Sequence, residues 1–550
     1  MTVTSQDTAV VRPAQSPPGE RAATRGFLAR AALVTAALSV AGALLGLARD
    51  QALARLFGAG TETDAFLVAW TVPEFAATLL IEDGLALALI PAFSLALARR
   101  AQGAPGDPVR ALVGTSLPRV ASALVAASAL TALAAPQLVA ALAPGLSDRS
   151  LAVDCTRLTA TCLLSFGLAG YCSAALRAHR RFLAPAAIYV AYNAGIIAAM
   201  VALGGRWGVR SAAVGVAAGG CLMVAVQLPA LWRELRGKAA VGAAGAASGP
   251  ERRMGAAVVC AVLLFALCRQ SQVLIERFLA SHLEPGAISH LNYAQKVAQV
   301  PMTLSLMLCT VTFPVVARAL ADGDTGRARD RVERDLALAA CMVLLGAAVV
   351  VACAPQIVEV LFQRGAFGAA DTAATASVMR VYALGLLGQT LVGALVRSYF
   401  SDGRPSWYPL GAMAAGIAAT SGIGALSAGP LGVHGIAAAN AAGITLTAAL
   451  LLAGMRERGG RRAPHSVVPV RVRRVLGALG RPVLAAAVAT AAGAYAASRA
   501  DAPAAGLLAG CPTVIVVFAL LGRALGDQGV TSALRHVRSA TRRLPHVRTR

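Results

Sequence analysis

Several charged residues stand inside long apolar stretches, where charge is expensive. Arg49 and Asp50 are adjacent in GLARDQALARLFGAGTETDAFLVAW (46–70), Asp64 opens the next apolar stretch, and Glu74, Glu82 and Asp83 lie deeper in it. Further on, Arg269 and Glu276 share one apolar run, Lys296 lies about two turns into the following one, and Arg380 occupies a later one. Lys296 is one of only two lysines against forty-eight arginines. A charge at membrane depth costs several kcal/mol unless it is paired or faces water. Arginine and lysine can hold phosphate oxygens by charge-assisted hydrogen bonds. Such residues suit a water-filled cavity with cationic walls and an anionic substrate such as a pyrophosphate. Two plainer readings stay open here: Arg49 and Lys296 snorkel to a membrane surface, and Glu82–Asp83 form an interhelical pair or a hinge contact.

Other chemistries find little support. The seven histidines are scattered, no phosphate-binding loop or nucleotide motif occurs, and most of the ten cysteines lie in apolar runs without a C-x-x-C pair. The expectation is therefore no enzyme, no cofactor, no metal site and no disulfide framework. The net charge of +24 would suggest nucleic acid in a soluble chain, but aromatics are only 5%, too few for the stacking that single-stranded grooves need. No nucleic-acid partner is expected.

The elements that must position the charges are membrane helices. Of 550 residues, 57% are hydrophobic and 14% charged, and the mean hydropathy is +0.66, which places the chain in the integral membrane class. Apolar runs long enough to cross a bilayer recur at 27–48, 65–97, 111–135, 151–176, 183–203, 210–232, 254–279, 288–317, 334–354, 373–400, 406–427, 431–455, 480–498 and 503–523. The expected fold is an all-α polytopic membrane protein of about fourteen transmembrane helices. Lys and Arg concentrate in the N-terminal tail and alternate gaps, such as LARRAQGAPGDPVR, RAHRRF and DTGRARDRVER, whereas PQLVAALAPGLSDRS and SAGPLGVHG are poor in them. The positive-inside rule then puts both termini in the cytoplasm.

The chain repeats itself. The passage from span 1 into span 2 and that from span 7 into span 8 each have an acid–base pair at a helix end, a Gly-containing loop and two prolines, Pro73 and Pro91 in the first and Pro301 and Pro314 in the second. ALRAHRRFLAPA and LVRSYFSDGRPSWYP also correspond. Two six-helix lobes in pseudo-twofold arrangement, with two extra C-terminal helices, are expected. Such parallel repeats build transporters that bind substrate between lobes and expose it alternately to each side. The expected organisation is a disordered cytoplasmic tail (1–25), an N-lobe (26–235), a cytoplasmic linker (236–253), a C-lobe (254–455), a basic loop (456–479), spans 13–14 (480–523) and a basic cytoplasmic tail (524–550).

These stretches resemble a known family. GLARDQALARLFGAGTETDAFLVAWTVPEFAATLLIEDGLALALIP resembles the first two spans of the MurJ (MviN) lipid II flippases, of the multidrug/oligosaccharidyl-lipid/polysaccharide exporter superfamily. VLIERFLASHLEPGAISHLNYAQKV, VLFQRGAF, LVRSYFSDGRPSWYP and ALRAHRRFLAPAAIYVAYNAGII are similar to further family motifs, in order, over roughly 27–455. The resemblance implies alternating-access translocation of the undecaprenyl-pyrophosphate-linked peptidoglycan precursor across the bacterial cytoplasmic membrane. Its partners would be that lipid, the surrounding membrane lipids and cell-wall synthesis proteins. The family's cavity cations fall on Arg49 and Lys296, and its acids on Asp64 and Glu82. Three positions depart from the pattern: Ala43 and Ala77–Thr78 stand where members carry arginine, and Y-A-D-R has become Tyr293-Ala294-Gln295-Lys296. A less cationic cavity leaves three alternatives: a diverged paralogue exporting another lipid-linked oligosaccharide, a drug exporter, or a scaffold that no longer transports.

Overall fold

The computed structural model describes residues 18–82, 84–104, 106–236, 256–307, 324–400, 406–456, 470–526 and 529–531. Asp83, most of the expected N-terminal tail, linker, basic loop and C-terminal tail, and the end of the eighth span lie outside them. Within the described residues the chain is helical, and its only β pairing is an isolated bridge between Arg456 and Val470.

The first lobe begins with α1 (Pro18–Phe57), which reaches back into the segment expected as tail. Three helices follow, α2 (Thr61–Ala69), α3 (Thr71–Ala76) and α4 (Gly84–Ala101), with a π-helical turn over Ala77–Glu82 before α4. The single expected span at 65–97 is therefore broken twice. π-turns recur at functional sites because they re-aim side chains in mid-helix, and this one carries Glu82. The lobe continues through α5 (Pro108–Leu133), α6 (Ala135–Leu142), α7 (Arg149–Ala160), α8 (Cys162–Ala178), α9 (Leu183–Trp207) and α10 (Arg210–Arg236).

The second lobe repeats this order in α11 (Ala256–Ala280), α12 (Ala287–Ala298), a helical continuation at 300–307, α13 (Thr325–Ala352), α14 (Ala354–Phe362), α15 (Ala369–Leu384), α16 (Leu386–Tyr399) and α17 (Tyr408–Gly454). The short helices α6 and α14 both open Ala-Pro-Gln, with proline in the first turn where its missing N–H costs nothing. The α9–α10 corner turns at Gly208 (φ 55, ψ −143) and α17 breaks at Gly432 (φ 57, ψ −136). These backbone conformations are nearly the same, and only glycine adopts them readily. Each corner is tied to the helix beside it, Arg210 to Asp154 at 2.8 Å and His434 to Ser377 at 2.9 Å. Finally α18 (Val472–Ser498) starts inside the segment expected as the basic loop, and it pairs with α19 (Pro503–Ala524) against α13.

Ten described helical stretches are long and apolar enough to cross a membrane, or eleven if the bent pair α15–α16 counts as one span. The count falls short of fourteen partly because the 47-residue α17 registers as one stretch although Gly432 breaks it. The eighth expected span runs beyond residue 307, outside the described residues.

The lobes meet near the ends whose loops are poor in Lys and Arg. There α2 packs on α12, α3 and α6 on α11, and α1 on α14. The Ala366 N–H donates to the Arg55 carbonyl at 2.9 Å, and the Gly145 N–H to Ser281 Oγ at 3.3 Å.

Candidate functional site

α1 delivers Arg49 and Asp50 to the interface between the lobes, and α12 delivers Lys296 from the other side. The Arg49 guanidinium bonds Asp50 at 2.7 and 3.1 Å and donates to Asn193 Oδ1 at 3.1 Å. Asn193 in turn donates to the carbonyls of Gly42 and Tyr189 at 3.1 and 2.9 Å, so its oxygen is left to face Arg49. Close packing of α9 on α10 sets that geometry. At Gly219 a side chain would lie 2.6 Å from the Tyr192 carbonyl oxygen, so a small residue is needed there. Lys296 Nζ lies 3.2 Å from Asp50 across the interface. Trp70, at the α2–α3 break, lies beneath both cations, with Arg49 Cζ 4.5 Å and Lys296 Nζ 5.8 Å from its ring centre. Both distances are within cation–π range.

The resulting cluster holds two cations to one acid. Arg49 and Asp50 are nearly enclosed, while the Lys296 side chain remains 31% exposed. The space bounded by Arg49, Asp50, Trp70 and Lys296 is about 10 Å³, room for roughly one water. The Tyr192 hydroxyl is buried nearby without a protein partner, a donor left for something else.

A second cluster lies beside it with the opposite balance. Glu276 accepts from Tyr382 at 2.7 Å and from Asn440, both in its own lobe. Arg277 reaches into the first lobe, to Glu74 at 2.9 Å and to Thr71. Its side chain is only 4% exposed, and breaking a buried pair of this kind is strongly destabilising.

The four residues named from sequence divide between places. Arg49 and Lys296 converge, bridged by Asp50. Asp64 stands apart, buried at the N-terminus of α12, where it accepts from the Gly286 and Ser289 N–H groups at 2.7 and 2.8 Å and from Ser289 Oγ at 2.5 Å. A first-lobe carboxylate thus caps a second-lobe helix, satisfying orphan donors at the positive end of its dipole. Glu82 is also apart. It is exposed, accepts from Tyr189 at 3.1 Å, and lies close enough to Arg269 for their charges to interact. Arg269 is likewise exposed. Exposed charge along a spanning segment favours water over lipid, and Gln270 donates to Thr78 across the lobes at 3.3 Å. Arg380 bonds the Val351 carbonyl at 3.2 Å and joins neither cluster.

Sequence reasoning missed Asp50 as the bridge, Trp70 and Asn193 as supports, and the Glu74–Arg277 tie. Asp50 and Glu74 were visible as charges among apolar residues, but their partners lie 246 and 203 residues away. Among the described residues no cluster of histidine, cysteine and carboxylates could hold a metal, and the nine described cysteines are free thiols.

Comparison with known proteins places this architecture. A family profile described as lipid II flippase MurJ matches residues 53–502. The lipid II flippase MurJ of Burkholderia cenocepacia is 29% identical over 383 residues, 68% of this chain and 73% of that one. A probable lipid II flippase MurJ of Rhizobium meliloti is 28% identical over 373 residues, covering 65% and 68%. A structure described as lipid II flippase MurJ in an inward closed conformation aligns with TM-score 0.69 and 17% identity, over 90% of this chain and 99% of that one. A multidrug resistance MATE family transporter of the MOP superfamily, in an inward-facing conformation, aligns with TM-score 0.58 and 15% identity over 76% and 96%. At these identities the two structures speak for the fold alone. The profile match over most of the chain settles the family: this multi-span membrane protein belongs to the MurJ family of lipid II flippases.

Proposed function

We propose that the chain carries lipid II across the cytoplasmic membrane by alternating access, with the pyrophosphate gripped by Arg49 and Lys296. The observation that carries this reading is the convergence of those two cations from different lobes on one acid above one indole ring. A carboxylate between two cations occupies the place a phosphate would take, so Asp50 keeps the cations paired while the site is empty. An arriving diphosphate brings more charge and more oxygen acceptors, and it displaces Asp50 from them. With room for about one water, the site must widen by lobe movement to admit a headgroup. The lipid tail stays in the bilayer throughout.

Asp64 and Glu82 take different parts in this cycle. Asp64 fastens the lobes at one end through the α12 backbone, so releasing it is one step in opening that end. At the other end Glu82 and Arg269 would line a water-filled cleft. With both termini cytoplasmic, as the distribution of Lys and Arg favours, the fastened end is the outer one and the cleft opens inward. Fourteen crossings and two six-helix lobes fit that orientation. The basic tails would lie at the cytoplasmic surface, available to anionic headgroups and to wall-synthesis proteins.

The test is complementation of a flippase-depleted bacterium, scored by precursor in the outer leaflet at matched expression. Wild type should rescue, whereas Arg49→Ala and Lys296→Ala should fail. Rescue by all three would remove the cavity cations from the mechanism. Failure of wild type would favour a paralogue with another cargo, or a scaffold.

A further inference from the structure

A second cationic site lies on the opposite face of α1. Arg49, Asp50 and Leu53 face the inner cavity, whereas Ala48, Gln51, Ala52 and Arg55 line a separate groove of about 460 Å³. That spacing of three and four residues is one helical stripe, so α1 serves two sites at once. The far wall comes from the other lobe, through Phe362 at the end of α14 and Arg364 just beyond it, and Val201 of α9 lines the groove as well.

We propose that this groove binds the phosphate headgroup of an anionic glycerophospholipid between Arg55 of one lobe and Arg364 of the other. Four observations lead to this occupant. Both arginines are exposed, and neither forms an ion pair among the described residues. Arg364 donates to the Val360 carbonyl at 3.1 Å, which leaves several of its five N–H donors for a ligand. The main-chain bond from Ala366 to Arg55 holds the two cationic segments side by side, and like charges so placed favour an anion between them. Val201, 71% exposed on a membrane helix, and Leu56, 41% exposed, give the groove an apolar border on the lipid side.

Because the two arginines belong to different lobes, the groove is complete only while the lobes are together at this end. A lipid bound there therefore favours the fastened arrangement, by the rule that a ligand shifts a protein towards the state it binds better. The placement in the outer leaflet rests on the orientation proposed above; the binding itself does not.

The test uses purified full-length protein titrated with phosphatidylglycerol, phosphatidylcholine and undecaprenyl pyrophosphate, followed by native mass spectrometry. Arg55→Gln/Arg364→Gln should weaken phosphatidylglycerol at least fivefold, and Arg55→Lys/Arg364→Lys should retain most of the affinity. Phosphatidylcholine should bind weakly and equally to all. Arg49→Gln/Lys296→Gln should leave phosphatidylglycerol unchanged while weakening undecaprenyl pyrophosphate. Unchanged phosphatidylglycerol affinity in Arg55→Gln/Arg364→Gln would overturn the proposal, as would a loss confined to undecaprenyl pyrophosphate, which would make the groove a cargo site. If undecaprenyl pyrophosphate ignored Arg49→Gln/Lys296→Gln, the cavity reading would fail and the groove would stand.

Discussion

Each lobe begins with a helix bearing an adjacent acid–base pair, Arg49–Asp50 in α1 and Glu276–Arg277 in α11. The order of charge is reversed. In both, the first member bonds within its own lobe, Arg49 to Asn193 and Glu276 to Tyr382 and Asn440, and the second crosses to the partner lobe. Asp50 crosses to Lys296, and Arg277 crosses to Glu74. One pattern of contacts thus yields a cluster with a surplus cation and another with a surplus acid. The two halves share a design while their electrostatics are inverted, and under the proposed function an anionic cargo would be drawn to only one of the two clusters. Duplication supplies symmetric walls, and a few charged residues make them unequal.

Removing the cations of the first cluster should have the largest effect. Each charge-assisted contact contributes about 1.5–3 kcal/mol, so Arg49→Gln/Lys296→Gln should slow lipid transport in proteoliposomes roughly a hundredfold or more. Matching expression and Tm would separate this from misfolding. A rate near wild type would erase the distinction between the clusters.

The second cluster should answer in stability. Glu74→Ala leaves a buried guanidinium without its carboxylate, a loss of about 3 kcal/mol that thermal unfolding in nanodiscs would show as a clear drop in Tm. An unchanged Tm would mean the bridge is dispensable.

Asp64→Ala should have a smaller effect. Loss of a cap costs about 1 kcal/mol, and the amides of Gly286 and Ser289 should exchange hydrogen several-fold faster. Exchange at the wild-type rate would show that the lobes are fastened there by other contacts.

Asp50→Asn should have the subtlest effect and the opposite sign for binding. Without the competing charge, pyrophosphate should bind a few-fold tighter while turnover falls. Weaker binding would mean that Asp50 positions the cations rather than competing for them.

Much of the fold was legible because it depends on local pattern. Hydropathy located the helices, and the gap expected between 427 and 431 falls beside the break in α17 at Gly432. The π-turn at Ala77–Glu82 was not legible, since ATLLIE apart from its final Glu82 reads as an ordinary apolar helix. In the site, Arg49 and Lys296 could be named because buried cations are rare and costly. The partner each acid chooses depends on how the lobes dock. Asp64 illustrates this: a carboxylate at the start of span 2 could face a guanidinium or a helix end, and only the position of α12 decides for the backbone N–H groups of Gly286 and Ser289. Arg277 and Glu74 were equally hidden, as charges whose pairing needs both lobes in place.

The most direct test is the affinity for undecaprenyl pyrophosphate, measured by titration on wild type, Arg49→Gln, Lys296→Gln and Glu74→Gln in the same detergent. A loss of about tenfold or more in each of the two cation variants, with Glu74→Gln within roughly twofold of wild type, is the expected result. Equal affinities in wild type and both cation variants, or a loss that follows Glu74 instead, would contradict the assignment of the cargo to the first cluster.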